Sequence, residues 1–226
     1  MTRLIVHAEG PTEEAFVNEV LSQHLYHLGY TDVSARIIGK KRQRARRGGI
    51  VPWQIARQGI LNHLTRDQGL HVSTLVDYYA LPHDWPGLND APSAPTISDK
   101  AQAIEDALLD DVSVAMGTSF NPNRFVPFVM MHEFEAMLFS DCPTFATAIG
   151  QSDLSPSLQA IRDNFASPEE IDDSPDTAPS KRIEALHPAY QKPTMGLLAA
   201  QSIGLQAIRN ECPHFAAWLH RLETLP

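Results

Sequence analysis

Cysteine is nearly absent from this chain of 226 residues: Cys142 and Cys212 are the only two, and each is followed by proline. That excludes a disulfide framework and a thiolate metal site. Long apolar runs are missing too, and none approaches the roughly 20 residues needed to cross a bilayer. The N-terminus passes from Met1-Thr2-Arg3-Leu4-Ile5-Val6-His7 straight to Ala8-Glu9-Gly10, without a signal-peptide core or cleavage site. The expectation is a soluble, cytoplasmic protein with no membrane partner. There is no Gly-x-x-x-x-Gly-Lys-Ser/Thr loop and no Gly-x-Gly-x-x-Gly turn, which argues against NTP hydrolysis and dinucleotide binding by this chain. No nucleophile elbow supports Ser-His-Asp catalysis.

Present instead is an ordinary globular composition, 43% hydrophobic and 20% charged. At 25.0 kDa it suits one domain, or one domain with an appendage. The net charge of −9 excludes a uniformly basic nucleic-acid coat, but its distribution is uneven. Seven of the eighteen Lys and Arg residues fall between Arg36 and Arg47 with no acid among them, and five acids crowd into Glu169–Asp176.

The first half alternates two periods. Leu4-Ile5-Val6 reads as a buried strand, and Pro11-Thr12-Glu13-Glu14 opens a helix with a capping hydroxyl and two acids in its first turn, closed by Gly29. Val33, Ala35 and Ile37 alternate as a second strand. After the basic run, Trp53, Ala56, Ile60 and Leu64 recur at helical spacing. Val72–Val76 is a third strand ending at Asp77, and a helix carrying Ala101, Ile104 and Leu108 follows, capped by Ser98. Phe125–Met131 is a fourth strand, placed at an edge or an early-strand position by Pro127, and it runs into His132-Glu133-Phe134-Glu135. Beyond Pro143 the chain is helical, with helices expected over Ser180–Leu186, Leu197–Asn210 and His214–Leu222. The fold class is α/β: a mostly parallel sheet of about four strands flanked by helices (1–142), with a helical C-terminal part (143–226) packed on it.

In such sheets ligands bind beyond the carboxyl ends of the strands, and those ends here carry Glu9, Asp77, and Glu133 with Glu135. Glu13 and Glu14 are also explained by the helix dipole alone. Converging carboxylates repel unless paired, protonated or metallated. Mg²⁺ or Mn²⁺ is the natural counter-charge for oxygen ligands, leaving positions for water and phosphate. The basic run then supplies phosphate contacts. His132 beside Glu133 reads first as a packing residue and second as a ligand. Tyr78 and Tyr79 read as rim packing or as stacking platforms for unpaired bases.

At these residues the chain carries a resemblance. Glu9-Gly10-Pro11-Thr12-Glu13 after a first strand resembles the glutamate motif of the Toprim domain of topoisomerases, primases and OLD-type nucleases. With Leu75-Val76-Asp77-Tyr78-Tyr79, His132-Glu133-Phe134-Glu135-Ala136-Met137, Ser180-Lys181-Arg182-Ile183, Tyr190-Gln191-Lys192 and Cys212-Pro213-His214-Phe215, the chain resembles a bacterial Toprim-like family, a domain of unknown function distantly similar to OLD-type nucleases. The resemblance implies a Toprim-like Rossmannoid core and metal-dependent cleavage of phosphodiesters in DNA or RNA. It implies catalytic roles for Glu9, Asp77, Glu135 and Lys192, and a Mg²⁺ or Mn²⁺ ligand set drawn from Glu9, Glu13, Asp77, Glu133 and Glu135. Lys192 matches a lysine that stabilises the transition state. Nucleic-acid contacts fall to Lys40, Lys41, Arg42, Arg44, Arg46, Arg47, Ser180 and Arg182. One departure matters: Tyr79 stands where an Asp-x-Asp motif has its second aspartate, which puts two-metal chemistry in question. OLD-type nucleases commonly work beside an ATPase, so a separately encoded ATPase partner and an anti-phage role are implied. A homodimer using Pro82–Pro95 or the C-terminal helices is open. The alternatives are a non-catalytic module docking onto an ATPase or nucleic acid, and a small-molecule phosphohydrolase.

Overall fold

A computed structural model describes residues 2–38, 50–89, 91, 94–171 and 177–225. Five strands, β1 (Thr2–Ala8), β2 (Tyr30–Ile37), β3 (Leu70–Asp77), β4 (Phe125–Val126) and β5 (Val129–Met130), form one sheet in the order β2-β1-β3-β4, with β5 also on β3. Every pairing is parallel. Parallel neighbours need crossovers, and helices provide them: α1 (Pro11–Phe16) and α2 (Ser22–His27), joined by π-helical Val17–Leu21, then α3 (Trp53–Arg66) and α4 (Ile97–Met116). The C-terminal part adds α5 (Cys142–Ala148), α6 (Ser155–Arg162), α7 (Pro179–Leu186), α8 (Leu197–Glu211) and α9 (Pro213–Glu223).

Strand alternation divides the apolar residues between two cores. Leu4, Val6, Ala8 and Leu75 face one side, where Phe16, Leu21, Phe134, Leu138, Phe145, Phe215 and Trp218 pack. Val72 and Val76 face the other, against Trp53, Ile60, Leu64, Ile104 and Leu108. Residues of 143–226 thus share a core with β1 and α1.

Three local readings are corrected. The expected single strand Phe125–Met131 is two short strands, because Pro127 has no N–H for the ladder. The buried Thr74 hydroxyl fills the gap, accepting from the Phe128 N–H and donating to the Phe128 carbonyl, both at 2.9 Å. At α4 the cap is Thr96, not Ser98: its Oγ1 accepts from the Asp99 N–H at 3.1 Å. At α1 the N-cap is Gly10, and Glu13 rather than the Thr12 hydroxyl satisfies the free donor there, its Oε2 accepting from the Gly10 N–H at 2.8 Å. Among the described residues, no helix is long and apolar enough to cross a membrane.

Candidate metal centre at the strand ends

In the order β2-β1-β3 the chain first adds a strand on one side of β1 and then on the other, which makes the gap between β1 and β3 the switch point at which α/β sheets open a crevice for ligands. β1 delivers Glu9 there. Its N–H continues the ladder to the Leu75 carbonyl (3.1 Å), and its Oε2 accepts from the Asp77 N–H (3.0 Å). β3 delivers Asp77. β5 pairs Met130 with Asp77 and hands the chain to His132, whose φ of 67° is rare for a residue other than glycine. That left-handed turn, tied by the Tyr79 N–H to the His132 carbonyl (3.4 Å), redirects the chain so that Glu133 and Glu135 follow at once. Glu13, on the first turn of α1, completes five acids.

Lys192 comes from a distant part of the chain, at the first residue of the π-helical turn Lys192–Gly196 before α8. Its Nζ lies 3.2 Å from Glu135 Oε2 and 3.6 Å from Glu133 Oε1. The other Glu133 oxygen accepts from the Ser180 N–H at the start of α7, at 2.9 Å. Among the described residues, Lys192 is the only ion-pair partner of the five acids.

The electrostatics follow from that imbalance. Burial, then the Glu9, Glu13, Glu135 and Glu133 charges, push Asp77 well above the usual carboxylate range. Burial pushes Glu135 up to about 7 against the opposing pull of Lys192, with Glu133 adding to the rise. Glu13 is likewise pushed up to about 7, by burial and then by Glu9 despite its own backbone hydrogen bonds. Glu9 is raised by burial, partly offset by the Asp77 N–H and Lys192. Burial alone would lower Lys192, but Glu135 and Glu133 more than offset it and hold the ammonium above its ordinary value.

Glu9, Glu13, Asp77, Glu133, Glu135 and Lys192 are therefore brought within electrostatic reach of one another. Ser180 joins them through its backbone N–H, its side chain buried. Arg182 is turned to its own surroundings, donating to the Thr177 carbonyl (2.7 Å) with its guanidinium 5.4 Å from the Phe165 ring centroid. Lys40, Lys41, Arg42, Arg44, Arg46 and Arg47 lie outside the described residues. The chain enters that run from Ile38, whose N–H is bonded to the Ala8 carbonyl (2.8 Å) next to Glu9. Tyr79 is 46% exposed beside Asp77. The sequence reading missed Tyr190, whose hydroxyl is buried without a hydrogen-bond partner among the described residues, in the field of Glu135 and Glu133. The Tyr190-Gln191-Lys192 motif was its only signal.

Among the described residues, no three His, Cys, Asp or Glu side chains form a ready-made metal cage. Glu9, Glu13, Glu133 and Glu135 each lean on a protein donor instead. The exception is Asp77 Oδ1, buried without a partner. An orphaned carboxyl oxygen among four further hard-oxygen donors fits Mg²⁺ or Mn²⁺. Two open polar grooves elsewhere, one along Asp141, Arg162 and Glu211 and one along Glu19, His24 and Gln201, include none of the five acids.

Fold and site together define an α/β protein whose described residues form a carboxylate-rich site with one lysine at the switch point of a parallel sheet. The chain belongs to the family of a domain of unknown function, DUF4276, which it matches over residues 8–223. No curated protein and no solved structure matches it significantly.

Proposed function

We propose that this protein is a divalent-metal-dependent nuclease that hydrolyses phosphodiesters in DNA or RNA. The observation that carries the reading is Asp77 Oδ1, an acceptor buried without a partner beside Glu9 and among Glu13, Glu133 and Glu135. Leaving such an oxygen unsatisfied costs free energy, and an incoming cation offsets that cost. Asp77, Glu9 and Glu135 would hold Mg²⁺ or Mn²⁺, with Glu133 and Glu13 adding negative charge around it. The ion, when bound, supplies Lewis-acid polarisation of a phosphoryl group and a water of lowered pKa.

The chain's own residues do the rest. Lys192, kept charged by Glu135 and Glu133, neutralises phosphate charge. Ile38, the last described residue before the basic run, is bonded to the Ala8 carbonyl next to Glu9, and Lys40, Lys41, Arg42, Arg44, Arg46 and Arg47 would supply contacts to a nucleic-acid backbone. The resemblance to the Toprim domain supports the same chemistry, and it extends the proposal to a separately encoded ATPase partner and an anti-phage role.

Incubation of the purified protein with labelled single-stranded DNA, duplex DNA and RNA, with Mg²⁺ or Mn²⁺ at millimolar concentration, tests the proposal. Cleavage is expected, and Glu9→Gln and Asp77→Asn should each abolish it while the protein stays folded. A second reading, a non-catalytic module that docks onto nucleic acid or an ATPase, is favoured by Tyr79 in place of a second aspartate. Substrate binding without cleavage under any metal, unaffected by Asp77→Asn, would establish it in place of the nuclease.

A further inference from the structure

Among the described residues, Asp77 Oδ1 is not the only polar atom near the acids that is buried without a partner; the Tyr190 hydroxyl is another. A buried tyrosine hydroxyl ordinarily finds a partner, and leaving it without one costs roughly 1–3 kcal/mol. This fold satisfies such a group elsewhere: Tyr30, also in the core, donates to the Leu222 carbonyl at 2.7 Å. Tyr190 is thus an exception within the same molecule.

Its position is closely defined. The Tyr190 N–H is bonded to the His187 carbonyl (2.9 Å), which fixes the turn after α7, and its ring meets Phe145 edge-on with centroids 6.4 Å apart. The hydroxyl end lies over Gly196, where an added Cβ would come within 3.2 Å of the Tyr190 oxygen, 3.6 Å of Thr12 and 3.8 Å of Phe134. Thr12 is the neighbour of Glu13 on α1, and Phe134 stands between Glu133 and Glu135. The hydroxyl therefore lies near residues that adjoin Glu13, Glu133 and Glu135, and within the field of Glu135 and Glu133. Burial, followed by Glu135 and Glu133, keeps it protonated, so it is a permanent donor.

At present Glu135 is served by Lys192 (3.2 Å), and Glu133 by Lys192 and the Ser180 N–H. A divalent ion on the same carboxylates repels the ammonium, and Lys192, 39% exposed at its side chain, has solvent to move into. Carboxylates that ligate a metal need a hydrogen-bond donor behind them to hold their orientation.

We infer that Tyr190 is a positioning residue of this site, its hydroxyl donating to Glu135 once a divalent cation has displaced Lys192. The inference rests on the proposed metal site and deepens it. It accounts for both orphaned atoms with one event: the cation satisfies Asp77 Oδ1, and the carboxylate released by Lys192 satisfies Tyr190. It also frees Lys192 for an incoming phosphate.

Titration calorimetry with Mn²⁺ on the full chain tests this without reference to activity. Tyr190→Phe keeps the ring and removes only the oxygen, so the metal-free protein should melt at the same temperature as wild type or higher. Its Mn²⁺ affinity should fall 10- to 100-fold. Lys192→Met should tighten Mn²⁺ binding, and the loss from Tyr190→Phe should persist in that background. In Glu135→Gln the loss should shrink, because the two groups act as a pair. Equal Mn²⁺ affinity in wild type and Tyr190→Phe would overturn the role of Tyr190 and leave the metal site standing. Wild-type protein that takes up no Mn²⁺ would overturn both.

Discussion

Asp77 concentrates the conflict between stability and function at a single side chain. Its carboxylate is buried, one oxygen has no donor, and four like charges act on it. Such groups are tolerated where a ligand is awaited, at the expense of the free protein's stability. Asp77→Asn keeps the shape and removes the charge, so the metal-free variant should be more stable than wild type by about 1 kcal/mol, or about 2–4 °C in Tm for a chain of this size. Millimolar Mn²⁺ should raise the melting temperature of the wild type but not that of the same variant. Differential scanning calorimetry with and without the ion reads both; a metal-free Asp77→Asn melting below wild type would mean that the buried charge does not burden the fold. Glu9, Asp77, Glu133 and Glu135 were legible in the sequence because each follows an apolar run that ends abruptly. Tyr190 was not, since nothing local distinguishes a tyrosine whose hydroxyl is satisfied, like Tyr30, from one whose hydroxyl is not.

Among the elements, the interrupted edge at Phe125–Met130 positions the site most directly. β5 leads within two residues to His132 and the acids beyond it, so its pairing with β3 fixes where Glu133 and Glu135 emerge. Two polar side chains of β3 hold the interruption. Thr74 bonds both backbone groups of Phe128, and Ser73 donates to the Val126 carbonyl at 2.5 Å while accepting from the Trp218 indole at 3.0 Å. Thr74→Val leaves two buried backbone groups unpaired and should destabilise by about 2–6 kcal/mol, at roughly 1–3 per group. Thr74→Ser should restore most of the loss. Urea midpoints of the three proteins decide it, and a neutral Thr74→Val would mean that the strand repairs its own gap. The sequence marked Pro127 as incompatible with a central strand, but not the length of the break. That depended on a hydroxyl contributed by a strand far earlier in the chain.

At the scale of the whole molecule, the two cores are tied at this edge by a buried pair. Glu105 of α4 accepts at Oε1 from the Val129 N–H and meets His214 Nε2 of α9, both at 2.9 Å. The Glu169 carboxylate accepts from the His214 and Phe215 N–H groups, each at 2.9 Å, and the His214 ring stacks on Phe128. Burial alone would lower the His214 pKa. The hydrogen bond and charge of Glu105, with Glu169, outweigh it and raise the value above its ordinary 6.5. A raised pKa means that the folded protein keeps a proton the unfolded chain releases. The stabilisation is therefore complete below pH 6.5 and is lost as pH rises through the folded-state value. The difference in unfolding free energy between wild type and His214→Gln, measured by urea denaturation from about pH 5.5 to 9, should shrink steadily toward alkaline pH. A pH-independent difference would show that His214 is neutral in the fold.

What the sequence alone determined is the set of elements and their polarity. Alternating apolar runs, helical spacing and proline and glycine punctuation are local signals, so they marked the parallel α/β order, the strand ends and most helix boundaries. Only the tertiary structure decided which acids gather at one end of the sheet, because β1, β3 and β5 become neighbours through crossovers that no local pattern specifies. It also decided that Lys192, remote from Glu135 along the chain, supplies the counter-charge, and that Ser180 offers its backbone rather than its hydroxyl. Charge interactions depend on distance in space and on the surrounding dielectric, and chain separation fixes neither.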